Sequence, residues 1–177
     1  MVDSAADCVI GLGANLGDPR STFRRALEAL RLVGEIQAIS ALYDTAPVGG
    51  SPQPRYLNAA ARLHTALSAR PLLETLRGIE RSEGRVRRER WGPRPLDLDI
   101  LWIAGLFVDE PGLTVPHPRL TERAFALLPL LEVAPDATDP RTGRPLRDRV
   151  SALDTSGVTR LDETWGPVGM DTRAPRC

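Results

Sequence analysis

Apolar and polar positions along the chain change period several times, and each change marks an element. The largely apolar run Cys8-Val9-Ile10-Gly11-Leu12-Gly13 predicts a short buried strand running into a Gly-rich turn over 13–18. Phe23, Ala26, Leu27, Leu30 and Val33 then fall at helical spacing, with Asp18 or Ser21 as cap and Gly34 as stop. Ile36, Ala38, Ser40 and residues 42–45 read as a second strand, ended by Pro47 and the Gly/Pro-rich stretch after it. Over 56–65, Tyr56, Asn58 and Ala60 alternate with Leu57, Ala59 and Ala61, a third strand. Leu72, Leu73, Leu76 and Ile79 form the stripe of a second helix over 70–84. A basic loop over 84–92 leads to an apolar strand over 96–103 that carries two carboxylates. A further short strand is expected at 106–108, a turn at 114–116, and a third helix over 122–132 closed by Pro135.

The order β-α-β-β-α-β is that of the split βαβ unit. It predicts an α+β fold, a ferredoxin-like core in a three-layer αβα arrangement with a C-terminal extension. After Arg141 the chain turns polar and weakly periodic, with a small helix expected over 146–153. The domain is expected to span 1–164, and 165–177 to form a disordered tail.

At 177 residues the chain suits one domain able to bury about two-thirds of its unfolded surface. Basic and acidic residues balance at 23 each, which counts against a strongly basic nucleic-acid footprint. Every Lys/Arg position is Arg, so no phosphate-loop or Schiff-base lysine exists, and phosphate chemistry must use Arg, metal ions and backbone amides. Cys8 and Cys177 are too few for a disulfide scaffold. The start lacks the pattern of a signal peptide and no apolar run reaches about 18 residues, so a soluble, cytoplasmic protein is expected.

Asp97 and Asp99 lie two apart in an apolar strand, so both carboxylates project from one face. Like charges held this close repel, and a divalent cation relieves them; hard oxygen ligands suit Mg²⁺ completed by substrate phosphates. The plainer alternative is a solvated face of an edge strand. Arg85, Arg87, Arg88, Arg90 and Arg94 crowd the preceding loop. Guanidinium groups clamp phosphate oxygens in pairs, and a loop flanked by Gly84, Gly92 and Pro93 could close over a ligand. Alone, such a run is commonly a solvated basic stretch. Beside paired carboxylates it points to phosphoryl or diphosphoryl transfer.

The run from Arg90 to Leu101, basic-x-Gly-Pro-Arg-x-x-Asp-aliphatic-Asp-aliphatic-aliphatic, resembles the signature of the 6-hydroxymethyl-7,8-dihydropterin pyrophosphokinases. Four further stretches, at 11–17, 43–58, 80–87 and 115–125, resemble that family in order. The resemblance implies transfer of the β,γ-diphosphate of ATP to the hydroxymethyl group of the pterin, with release of AMP, in folate biosynthesis. It implies two Mg²⁺ ions on Asp97 and Asp99, with Arg85, Arg94 and Arg123 on the phosphates and Arg87 in the loop. Glu80, Ile100, Thr114 and His117 would line the nucleotide site, His117 as a wall residue rather than an acid or base. Tyr56 and Phe125 would sandwich the pterin, Trp91 would close over it, and Thr45, Pro47, Val48 and Asn58 would meet its polar edge. Gly112 stands where some relatives carry Arg, and Pro118 where others carry an aromatic residue. The implied partners are small molecules only, with no nucleic acid or membrane and a monomeric chain. An RNA-binding module is the rival from another class, with Trp91 stacking a base, and a catalytically lapsed relative is the second.

Overall fold

The short buried strand around Ile10 is β1, Ala6–Ala14, the inner strand between β5 and β4 of a six-stranded antiparallel sheet. The computed structural model describes residues 5–47, 52–84 and 95–167. After β1 come α1 (Pro19–Leu30), β2 (Glu35–Ile39), β3 (Leu42–Thr45), β4 (Tyr56–Thr65), α2 (Ala69–Ser82) and β5 (Asp97–Ile103). A small hairpin of β6 (Val108–Glu110) and β7 (Leu113–Val115) follows, then a 3-10 turn at Leu120–Glu122 and α3 (Ala124–Val133). A second 3-10 segment, Leu146–Ala152, and β8 (Val158–Leu161) complete the order. The sheet runs β5-β1-β4-β3-β8, and β2 pairs with the far end of β4.

Asp18 caps α1. Its carboxylate accepts from the Arg20 and Ser21 backbone N–H groups, and Pro19, which has no N–H to leave unsatisfied, begins the helix. Phe23, Ala26, Leu27 and Leu30 of α1 and Leu72, Leu76 and Ile79 of α2 bury against one face of the sheet, on Cys8, Ile10, Leu12, Leu98 and Ile100. The other face holds Val9, Ala60, Leu101 and Trp102 under Leu127, Leu130 and Val133 of α3. α3 is apolar nearly all round because it is covered twice, by the sheet and by the segment carrying Leu146 and Val150. Among the described residues, no helix is long and apolar enough to cross a membrane.

Four expectations need correcting. The second strand is two strands, β2 and β3. At the break, Ser40 Oγ donates to the Ala41 carbonyl and accepts from Ala60 N–H, while Ala41 N–H donates to Glu132 Oε2. Side chains thus take over bonds that a continuous ladder would have made. The turn expected at 114–116 is instead the end of β7, paired with β6, so the short strand falls at 108–110 rather than 106–108. The region after Arg141 contains β8, whose sequence Val-Thr-Arg-Leu has little alternation; β8 pairs along β3, from Leu42↔Leu161 to Thr45↔Val158.

The fourth correction concerns Trp165, assigned from sequence to a disordered tail. It is 1% exposed, packs edge-on to Phe23 at 5.7 Å between ring centroids, and donates from Nε1 to the Ser40 carbonyl at 2.8 Å. An isolated Trp in polar sequence carries no periodic signal, and its partners lie on α1 and beside β2. Residues 168–177 lie outside the described residues.

Trp165→Ala should therefore destabilise the fold by about 3–5 kcal/mol, the range for emptying a buried aromatic site. Urea unfolding followed by circular dichroism would measure it. Truncation after Thr164 should give a loss of similar size, and a transition unchanged in both variants would contradict this packing.

Candidate active site

The register of β1 sets out the site. Gly13 stands opposite Asp97 on β5 and Asn58 on β4, and Gly11 stands opposite Asp99 and Ala60. Residues opposite one another in antiparallel strands share a face, so both carboxylates and Asn58 lie on the α3 side with two bare glycines between them. A Cβ at Gly13 would come 3.1 Å from Asn58 Oδ1, and one at Gly11 would meet the Leu101 side chain at 3.1 Å. The glycines thus leave the floor open in a cavity of about 440 Å³.

The walls come from four places. Thr45, Ala46 and Pro47 end β3, and Gln53 and Tyr56 lead into β4. Arg119, Glu122, Arg123 and Phe125 come from the approach to α3, and Asp154, Ser156, Gly157 and Val158 from the turn before β8. Asn58 is buried, donating from Nδ2 to Thr45 Oγ1 at 2.8 Å. Asn15, just past β1, donates to Gln53 Oε1 at 2.9 Å and to the Pro54 carbonyl at 3.1 Å. Tyr56 OH donates to the same Gln53 oxygen at 3.3 Å. The Gly-rich turn after β1 therefore pins the segment that presents Tyr56.

The Arg123 guanidinium lies over the Phe125 ring, 5.7 Å from its centroid. Burial, and then Arg119, lower the Arg123 pKa, while Asp99 and Asp97 oppose the shift. Arginine starts high enough to stay charged regardless. The cavity therefore combines the paired carboxylates of Asp97 and Asp99, two further carboxylates at Glu122 and Asp154, the guanidiniums of Arg119 and Arg123, and a slot lined by aromatic and amide groups. This set can hold a cation–phosphate group and a flat polar ring together.

His117 lies in a neighbouring hollow of about 170 Å³ that includes Thr114, Phe107 and Arg141. Its backbone N–H donates to the Leu101 carbonyl at 2.9 Å, and its Nδ1 accepts from Arg119 N–H at 3.2 Å, which assigns the ring hydrogen to Nε2. Burial, followed by the charge of Arg123, pushes its pKa below 6.5, against a smaller pull from Asp97. It is thus held as a neutral imidazole.

The model of the 7,8-dihydro-6-hydroxymethylpterin-pyrophosphokinase (HPPK) family matches residues 9–135, a stretch that spans β1 to α3 and contains both aspartates. The chain belongs to the HPPK family. Membership makes it an enzyme that transfers pyrophosphate. The protein named 2-amino-4-hydroxy-6-hydroxymethyldihydropteridine pyrophosphokinase in Pseudomonas aeruginosa is 44% identical over 154 residues, covering 86% of this chain and 94% of that one. The protein of the same name in Methylorubrum extorquens is 41% identical over 155 residues, covering 86% and 97%. Among solved structures, wild-type Plasmodium falciparum HPPK-DHPS superposes with a TM-score of 0.68 at 14% identity, over 84% of this chain. This chain spans 45% of that longer one.

Of the residues expected at the HPPK site, the structure brings Asp97, Asp99, Arg123, Phe125, Tyr56, Asn58, Thr45 and Pro47 into one cavity. Thr114 and His117 sit in the adjoining hollow. Ile100 and Glu80 lie behind the floor: Ile100 packs in the α1/α2 core, and buried Glu80 accepts from Leu98 N–H at 2.8 Å, anchoring the start of β5. Val48, Arg85, Arg87, Trp91 and Arg94, with the rest of the basic loop, lie outside the described residues. The sequence reading missed Arg119, Gln53 and the 154–158 turn as parts of the wall. It also missed the role of Gly11 and Gly13 as floor, although their two-residue spacing mirrors that of Asp97 and Asp99.

The state of His117 gives a pH test. Its folded pKa is depressed, so the stability tied to its neutral form is fully present above the unfolded value of about 6.5 and is lost as pH falls through the folded value. In a His64→Gln variant, the remaining imidazole NMR signal should titrate below pH 6.5. A midpoint at or above that value would contradict the burial argument.

Proposed function

We propose that the chain transfers the β,γ-diphosphate of ATP to the hydroxymethyl group of 6-hydroxymethyl-7,8-dihydropterin, releasing AMP, as the pterin pyrophosphokinase of folate synthesis. The observation that carries this reading is the glycine floor. Asp97 stands two strands from Asn58 in register, about 10 Å away at ordinary strand spacing, with no side chain between them. A flat bicycle held at Tyr56, Asn58 and Phe125 would thus reach with its hydroxymethyl group toward phosphates gathered at the carboxylates. The strand order β5-β1-β4-β3, with β2 and β3 taken as one split strand, supports a ferredoxin-like core.

The donor set fits Mg²⁺. Among the described residues there is no group of three or more His, Cys, Asp or Glu side chains that could hold a metal, so Asp97 and Asp99 act as a pair. A hard cation with few protein oxygens is completed by water and phosphate, and two such ions, bound, would neutralise charge on the attacking and leaving oxygens. Asp97 and Asp99 would hold them. Arg123, together with Arg85 and Arg94, would orient the phosphates, and Arg87 would approach from the loop. Tyr56 and Phe125 would stack the ring with Trp91 over it, while Asn58, Thr45, Pro47 and Val48 would meet its polar edge. Glu80, Ile100, Thr114 and His117 would build the nucleotide side. The hydroxymethyl oxygen would form a bond to the β-phosphorus as the bond from that phosphorus to the α,β-bridging oxygen breaks. AMP leaves with that oxygen, and the hydroxyl proton passes to solvent. The protein's part is positioning and fixed charge rather than a covalent intermediate.

Resolution of the nucleotide products from ATP, Mg²⁺ and the reduced pterin alcohol tests this directly. The wild type should yield AMP, and Asp97→Ala and Asp99→Ala should each lose at least about 100-fold in turnover, as expected when a fixed charge is removed from a transition-state site. ADP as the product, or full activity in both variants at saturating ATP and Mg²⁺, would overturn the reading.

Tyr56→Ala and Phe125→Ala should weaken pterin binding roughly tenfold or more, in the range of a lost stacking contact, and change ATP binding far less. Calorimetric titration of each ligand separates the two. Equal losses for both would make these rings ordinary core.

A further inference from the structure

We propose that Arg55 is a positioning residue for the pterin half of the site, tying the wall segment 44–47 to the C-terminal turn over 154–158. The proposal rests on the reading of the cavity given above. Arg55 immediately precedes β4, and its guanidinium reaches two acceptors. Nε donates to Asp44 Oδ1 at 2.5 Å, and Nη2 donates to the Gly157 carbonyl at 3.1 Å. The same carbonyl accepts from Ala46 N–H at 3.2 Å.

These bonds converge on the residues that form the pterin wall. Thr45 is paired with Tyr56 on one side and Val158 on the other. Gly157 has φ of 74°, in the left-handed region that favours glycine, and a Cβ there would lie 3.6 Å from that of Ala46. The turn is also closed on itself, since Asp154 Oδ1 accepts from Ser156 N–H at 2.8 Å. Asp154, Ser156 and Gly157 thereby line the cavity beside Thr45 and Pro47, although the family match ends at residue 135.

The location separates this role from a general structural one. The Arg55 side chain is 49% exposed and the Asp44 side chain 34%, so their pairing adds little to overall stability. What it does set is the relation between the end of β3 and the turn before β8. A wall displaced by a fraction of an ångström weakens binding on its own side and leaves the phosphate side untouched.

Steady-state kinetics with each substrate varied in turn, together with thermal unfolding, test the role. Arg55→Gln should raise KM for the pterin about threefold, the scale of an exposed ion pair, with KM for ATP and the unfolding midpoint unchanged. Arg55→Lys, which keeps the charge but loses the forked reach to two acceptors, should fall between wild type and Arg55→Gln. Equal rises in both KM values accompanied by a lower midpoint would make Arg55 merely structural and overturn the proposal. Wild-type values in Arg55→Gln would overturn it too, while AMP formation by the wild type would leave the reading of the cavity standing. A wild type that forms no AMP would remove that reading, and the role of Arg55 with it.

Discussion

β1 must pass between β4 and β5 while turning two glycines toward α3. That close approach governs the rest of the molecule. Ile10 and Leu12 on its other face are buried under α1 and α2, so the register cannot slip by one residue without exposing the core side chains. With the register held by the core, Gly11 and Gly13 fall opposite Asp99 and Asp97 on one side and Ala60 and Asn58 on the other. The site is therefore a by-product of packing on the opposite face. Side chains that never touch a ligand decide where the carboxylates point.

The two faces are specialised for different tasks. The α1/α2 face is a continuous apolar core that absorbs Ile100 and the aliphatic part of the site motif. The α3 face is apolar at one end, around Trp102 and Leu130, and opens at the other into the cavity. Glu80 connects the two by reaching from α2 to the Leu98 N–H, fixing the start of β5 between the two aspartates. A buried carboxylate that accepts a backbone hydrogen bond is less costly than one left unpaired. It also holds the strand at the point where carboxylate spacing matters.

A second constraint comes from the C-terminal side. Glu132 of α3 accepts from Tyr43 OH at 2.5 Å, from Ala41 N–H and from Arg160 Nε at 2.7 Å, joining β3, α3 and β8 through one carboxylate. Tyr43 is buried, and desolvation, then the bond to Glu132, raise its pKa, so it serves as a donor and not a charge. This cluster and Trp165 make residues 146–165 part of the folded unit. The same segment delivers the 154–158 turn to the cavity, so the extension stabilises the fold and shapes the site together.

Much of this was legible in the residues themselves. The strand alternation at 56–65, the helical stripes and the shared face of Asp97 and Asp99 depend on side-chain periods of 2.0 and 3.6, which are local properties of the chain. The motif resemblance pointed to the family for the same reason: its residues are contiguous. Other features depended on partners distant in sequence. The break at Ser40-Ala41 needs Ala60 and Glu132, the burial of Trp165 needs Phe23, and β8 exists because β3 offers it an edge. The placement of Thr114 and His117 in a hollow of their own, and of Asp154 and Gly157 in the cavity wall, follows from how α3 and the C-terminal turn fold back over the sheet. The sequence alone determined which side chains could share a face. Only the tertiary structure decided which faces meet, because that choice rests on burial between segments distant in the chain, as the buried hydrogen bond between Trp165 and Ser40, 125 residues apart, shows.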